Sequence, residues 1–169
     1  YKGPKEKDEF RKSLKSGGLK DVELAKFSSF LNADVVRITV YLNIFNVHVN
    51  RTPISGESTF LGYYPGKHYF TIREKSSDEN QHNSILIKGR ETWCLVNQIV
   101  GPICRRVVYW PNQNKPTDVK MGEKIGMMKF GSRLDMYFPK NDIILLVQKG
   151  DKVKAGETII AKLRKENEL

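Results

Sequence analysis

The sequence predicts a mainly β protein, α+β at most, with a β-sandwich or barrel core behind a short N-terminal helical or irregular arm. Three observations lead there. From Val35 onward, short runs rich in Val, Ile, Tyr, Phe and Trp recur, separated by polar segments bearing Gly or Pro. Residues 1–34 are instead polar and lysine-rich, and only Asp21–Phe27 has the pattern of a short amphipathic helix. The 169 residues, 39% of them hydrophobic, suffice for one core without disulfides or a metal.

In chain order, the predicted strands are Val35–Leu42, Gly62–Tyr64, Tyr69–Ile72, Ser84–Ile87, Trp93–Val100, Arg106–Trp110, Ile125–Met128, Leu134–Phe138, Ile143–Val147 and Thr158–Leu163. Pro65-Gly66 after Tyr64 reads as a reverse turn, and Lys88-Gly89-Arg90 as a hairpin connection. Near the end, Val119–Gly126 (VKMGEKIG) is echoed by Val147–Ile159 (VQKGDKVKAGETI), each with a Gly-acid turn before a β-branched residue. This near-repeat resembles the paired hairpins of barrel-sandwich hybrid folds such as biotinyl and lipoyl carriers. The arm is assigned to residues 1–34 and the domain to 35–169.

Composition excludes several classes. The longest apolar stretch, Ile143–Val147, is far short of the roughly 18 residues of a membrane span, and no secretory signal is visible. Cys94 and Cys104 are too few for a disulfide framework and read as small core residues in a reducing compartment. No His, Cys or carboxylate pair has metal-ligand spacing, so no metal site is assigned. The net charge of +10 is spread over every segment without a basic tail, which permits anionic partners but does not indicate nucleic acid. Because the chain opens at Tyr1 and not Met, an upstream piece is expected.

Two segments can carry chemistry. In Asn46–Pro53 (NVHVNRTP), His48, Asn50 and Arg51 stand at near-alternate positions where a strand leaves a sheet, and can converge on an acidic substrate. A His bonded within a turn and an Arg on a surface carboxylate explain the same residues. In Lys129–Tyr137, Gly131-Ser132 lies between strand-like runs. Glycine permits a strained peptide that a serine hydroxyl can approach, as an N-to-O acyl shift requires, although a β-bulge has the same signature. Arg105-Arg106 suits phosphate or a solvated edge equally. Lys129, after Met127-Met128, is a weak match to a biotin-carrying turn.

Four stretches in order resemble the short-form phosphatidylserine decarboxylases: Arg37–Gly56 (RITVYLNIFNVHVNRTPISG), Glu79–Ile85 (ENQHNSI), Gln98–Val107 (QIVGPICRRV) and Gly122–Pro139 (GEKIGMMKFGSRLDMYFP). The resemblance implies a proenzyme that cuts itself between Gly131 and Ser132, leaving a larger chain, 1–131, and a smaller chain, 132–169, as a heterodimer or higher oligomer. Ser132 then becomes a covalent pyruvoyl (pyruvate) group, which condenses with the amine of phosphatidylserine and serves as electron sink for decarboxylation. His48 is the implied proton donor. Arg51 with Asn50, and Arg105 or Arg106, are the implied holders of the substrate carboxylate or phosphate. The implied location is peripheral, at the cytoplasmic face of the cell membrane, on phosphatidylserine in an anionic bilayer.

Two departures stand out. The family's upstream Asp-Gly processing motif is missing and is expected before Tyr1, with any anchor, and Asn46 stands where many relatives have Asp. The alternative from another class is a non-catalytic carrier modified on Lys129, or an anionic-lipid-binding module. An intact chain with a group on Lys129 would mark the carrier, and two fragments the decarboxylase.

Overall fold

The computed structural model of the chain describes residues 34–71, 79–103, 106–128 and 131–164. The predicted arm (1–34) therefore lies outside it except for Asp34, as do Cys104, Arg105 and Lys129.

Among the described residues the chain forms eleven strands: β1 Val35–Leu42, β2 Val49–Arg51, β3 Gly56–Tyr64, β4 His82–Lys88, β5 Trp93–Val100, β6 Val107–Tyr109, β7 Thr117–Val119, β8 Lys124–Met128, β9 Ser132–Pro139, β10 Ile143–Leu145 and β11 Ala161–Leu163. All pair antiparallel, into a six-stranded sheet ordered β1-β9-β5-β4-β3-β7, a three-stranded sheet β2-β8-β6 and a hairpin-like pair β10-β11.

The core lies on one face of the large sheet. Ile38, Ile85, Ile87, Cys94, Val96, Val100, Leu134, Met136 and Phe138 meet Tyr109, Ile125 and Met128 from the three-stranded sheet and Ile143 from β10. The opposite face is also buried through Leu86, Leu95, Ile99 and Tyr137. Burial on both faces explains why β5 (WCLVNQIV) reads as a nearly continuous apolar run and not as an alternation.

Asn97 and Gln98 break that run, and each is spent inside. On the core face, Gln98 donates to Asn50 Oδ1 at 2.7 Å and accepts from Asn83 at 3.2 Å, tying the two sheets together. A Cβ on Gly126 would sit 2.6 Å from the Gln98 amide nitrogen, so the glycine makes room for this tie. On the other face, Ser84 donates to Asn97 at 2.9 Å, and Asn97 stands opposite Asp135 across the β5–β9 ladder.

The near-repeat folds as one device used twice. Lys120 N–H donates to the Glu123 carboxylate and Glu123 N–H to Lys120 O. Gln148 N–H likewise donates to Asp151, and Asp151 N–H to Gln148 O. Gly122 and Gly150 take positive φ inside these turns. The first turn carries the chain from the large sheet (β7) to the small one (β8).

Several boundaries differ from the sequence reading. The strands expected at 35–42 and 93–100 are found as read. β2 and β7 are extra, β3 begins six residues earlier, at Gly56, and β9 starts at Ser132. Tyr69–Thr71 is not a strand, and Pro65-Gly66 does not reverse the chain: Lys67 instead exchanges backbone hydrogen bonds with Glu79 and Gln81. The Gly89 connection does close a hairpin, with Gly89 N–H bonded to Thr92 O at 2.9 Å.

Candidate active site

At one end of the large sheet, β1 stops at Leu42, β9 starts at Ser132 and β5 stops at Val100, three residues side by side in the ladder. The loops leaving this end build the site.

The first loop follows β1 and is wound tightly by its asparagines. Asn43 N–H donates to Asn46 Oδ1 at 2.8 Å, Phe45 N–H to Asn43 Oδ1 at 2.9 Å, and Asn46 N–H to Asn43 O at 3.1 Å. His48 closes it. Its backbone carbonyl accepts from Met128 N–H at 3.1 Å, which anchors it to β8. Its ring Nε2 lies 2.9 Å from Asn43 O and its Nδ1 lies 3.3 Å from Ser132 Oγ. A carbonyl can only accept, so Nε2 carries the proton and Nδ1 offers a lone pair toward the serine hydroxyl.

Ser132 is almost fully buried, and Gly131 before it has φ of +64°, a left-handed conformation that favours glycine. A side chain at Gly131 would meet none of the described residues within 4 Å, so the backbone angle is what selects glycine there. Gly101, just past β5, is selected differently. A Cβ on it would sit 2.1 Å from Gly131 O, so its bare Cα makes room for the carbonyl of the Gly131–Ser132 peptide.

Behind the serine, on the opposite face, Arg133 forms a buried ion pair with Asp135 at 3.0 Å and donates to Thr71 O at 2.8 Å. Its guanidinium also lies 5.9 Å from the centre of the Tyr41 ring. The first turn of β9 is thereby fixed on both sides of the sheet.

The structure thus brings together His48, Gly131 and Ser132 from the residues picked in the sequence. Asn50 lies within the inter-sheet tie to Gln98. Arg51 points along β2 to the far turn, donating to Gly122 O at 2.7 Å and packing beside Gly156. Arg106 is exposed before β6, and Arg105 lies outside the described residues. Sequence reasoning missed Asn43, Thr71 and Gly101. The Gly-Pro pair at 101–102 was the one available signal for the last, and it reads equally well as an ordinary turn.

The family model for phosphatidylserine decarboxylase matches residues 12–161. Three proteins named phosphatidylserine decarboxylase proenzyme are similar to the chain. That of Syntrophus aciditrophicus is 43% identical over 125 residues, covering 72% of this chain and 56% of the relative. That of Carboxydothermus hydrogenoformans is 39% identical over 149 residues, covering 88% and 68%. That of Desulfotalea psychrophila is 35% identical over 145 residues, covering 84% and 65%. The chain thus spans between 56% and 68% of the length of these relatives. No solved structure matches it. The family match over most of the chain, together with a glycine-serine peptide facing a histidine, leads to one assignment: the chain belongs to the phosphatidylserine decarboxylase family.

Proposed function

We propose that this chain cuts itself between Gly131 and Ser132 and then decarboxylates phosphatidylserine to phosphatidylethanolamine with a pyruvoyl group made from Ser132. The observation that carries this reading is the 3.3 Å approach of Ser132 Oγ to His48 Nδ1, directly after a left-handed glycine, in a member of this family.

The cut follows from the residues. Asn43 O holds the His48 ring so that Nδ1 accepts the Ser132 hydroxyl proton. The freed Oγ attacks the Gly131 carbonyl carbon, the Gly131–Ser132 C–N bond breaks, and an ester through Oγ replaces the amide. Loss of the Ser132 Cα proton with breakage of the Cβ–Oγ bond releases Gly131 as a carboxylate. Water then displaces ammonia from the dehydrated residue and leaves the ketone.

Fit supports the group: it has fewer heavy atoms than the serine residue it replaces, and none of the described residues stands within 4 Å of where a Cβ on Gly131 would be. When formed, the pyruvoyl carbonyl condenses with an amine and accepts the electron pair left as carbon dioxide departs. His48, held beside the same atoms, returns the proton to the substrate carbon. Arg51 and Asn50 serve the site indirectly in this scheme, through the β2–β8 framework, and Arg106, exposed before β6, is assigned to an anionic headgroup.

The cleavage products, 1–131 and 132–169, stay together as a heterodimer through β9. The protein acts as a peripheral enzyme at the cytoplasmic face of the cell membrane. Among the described residues no helix is long and apolar enough to span one.

Protein expressed from its natural start is expected to run as two fragments, the smaller resisting amino-terminal sequencing, with phosphatidylethanolamine formed from phosphatidylserine. Ser132→Ala is expected to remain one chain. Splitting of that variant at the same bond would remove serine attack, and an intact wild-type chain modified on Lys129 would favour the carrier alternative.

A further inference from the structure

Seven of the fourteen large apolar side chains exposed among the described residues sit at the sheet end that holds Ser132. Six of them come from three loops. Ile44, Phe45 and Val47 belong to the loop that His48 closes, Tyr69 and Phe70 to the segment before Thr71, and Ile103 to the loop after Gly101. Tyr41, at the end of β1, is the seventh.

The loops are locked to the site and to one another. His48 faces Ser132. Arg133 holds Thr71 O. Asn80 donates to both Tyr69 O and Val100 O, each at 2.8 Å, which fixes the second loop beside the third. Phe45 is the extreme case, 89% exposed at the tip of a turn whose backbone is satisfied by two asparagine side chains. A ring held outward in this way loses little freedom when something covers it.

Exposed apolar side chains grouped at one end of a sheet mark an interaction surface. We propose that these three loop segments insert into the acyl-headgroup boundary of an anionic bilayer, so that the sheet end holding Ser132 is pressed against the membrane. The proposal rests on the lipid-decarboxylase reading for its occupant: such a substrate keeps two hydrocarbon tails in the bilayer while its headgroup reaches Ser132. Charge agrees, because Arg106 and Lys67, the latter paired with Glu79, are exposed in the same loops and the chain carries +10. Aromatic and aliphatic tips rimmed by cations are the composition of an interfacial anchor.

The test uses protein expressed from its natural start and vesicles of phosphatidylcholine with phosphatidylglycerol, which contain no substrate. Phe45→Ser with Phe70→Ser is expected to weaken vesicle binding at least about tenfold, while decarboxylation of a short-chain phosphatidylserine dispersed as monomers stays within about twofold of wild type. Vesicle binding equal to wild type would overturn the proposal. A Phe45→Trp probe is expected to shift its emission to the blue on adding vesicles and to be quenched by lipids brominated on their tails.

Emission already blue without vesicles and indifferent to them would also overturn it, by showing another part of the chain or a second copy on the tips. Dependence on protein concentration separates those two. Quenching in a protein that neither splits nor decarboxylates would uphold the membrane surface while refuting the enzymatic reading.

Discussion

Gly101 and Gly131 show how little of a site need be side chain. Gly131 is required by its own φ, Gly101 by a neighbour's carbonyl. A methyl at Gly101 would sit 2.1 Å from Gly131 O, against backbone that cannot swing aside as a side-chain end can. Gly101→Ala is therefore expected to displace the scissile carbonyl and slow self-cleavage at least about a hundredfold. Chain splitting on a gel reads this directly. In a Ser132→Cys background, the fraction cut by hydroxylamine reports the thioester, and it should fall. His48→Gln keeps an acceptor toward Ser132 but loses the base that takes its proton, so splitting should slow, and turnover in the fraction that is cut should drop about 10²- to 10⁴-fold. His48, Gly131 and Ser132 could be picked out in the sequence because residue type suggests a chemistry, and the fold brings them together. Gly101 was not, because its reason is an approach through space between residues 30 apart. Nor was the far-turn contact of Arg51, since a guanidinium reaches whichever carbonyl the fold presents.

Strands carry the next level of argument. β9 is buried at every position, yet its first four residues include an arginine and an aspartate, paired at 3.0 Å. Removing one partner of a buried pair leaves an uncompensated charge, which typically costs about 3–5 kcal/mol. Asp135→Leu is expected to destabilise the protein by about that much, and adding Arg133→Met to recover a large part of it, both measured by urea unfolding of the uncleaved Ser132→Ala chain. Long strands such as β1 and β5 were readable because eight residues of β-rich composition leave few alternatives. β2 and β7 were not: three residues are too few to display a period, and pairing with β8 and β3 makes them strands. The reverse error at Tyr69–Thr71 has a similar origin. Aromatic residues there look like strand formers, but their side chains face outward from a loop.

At the scale of the whole molecule, two faces of one sheet are closed, and groups caught between layers register it. Tyr64, stacked on His82 with ring centres 4.4 Å apart, has its phenol pushed up to about 12 by burial. The folded state therefore favours the neutral phenol, whereas an unfolded chain ionises it near pH 10. The stability this contributes is present below about pH 10 and is lost as the pH rises toward 12. Melting temperatures across that range are expected to fall less steeply in Tyr64→Phe than in wild type.

The place of β9 between β1 and β5 has one more consequence. In the proposed scheme, folding before the cut is a unimolecular search. After it, the smaller fragment owns an interior strand of a sheet whose other five belong to the larger, and unfolding sets the two adrift. The midpoint of thermal unfolding should then rise with concentration for the processed protein and not for Ser132→Ala. On the proposed scheme, moreover, the serine meets its histidine only when β9 has already slotted into the sheet, so a copy that misfolds would never acquire its ketone. Maturation in such a protein works as a turnstile: each molecule is inspected once, by its own geometry, and admitted without return.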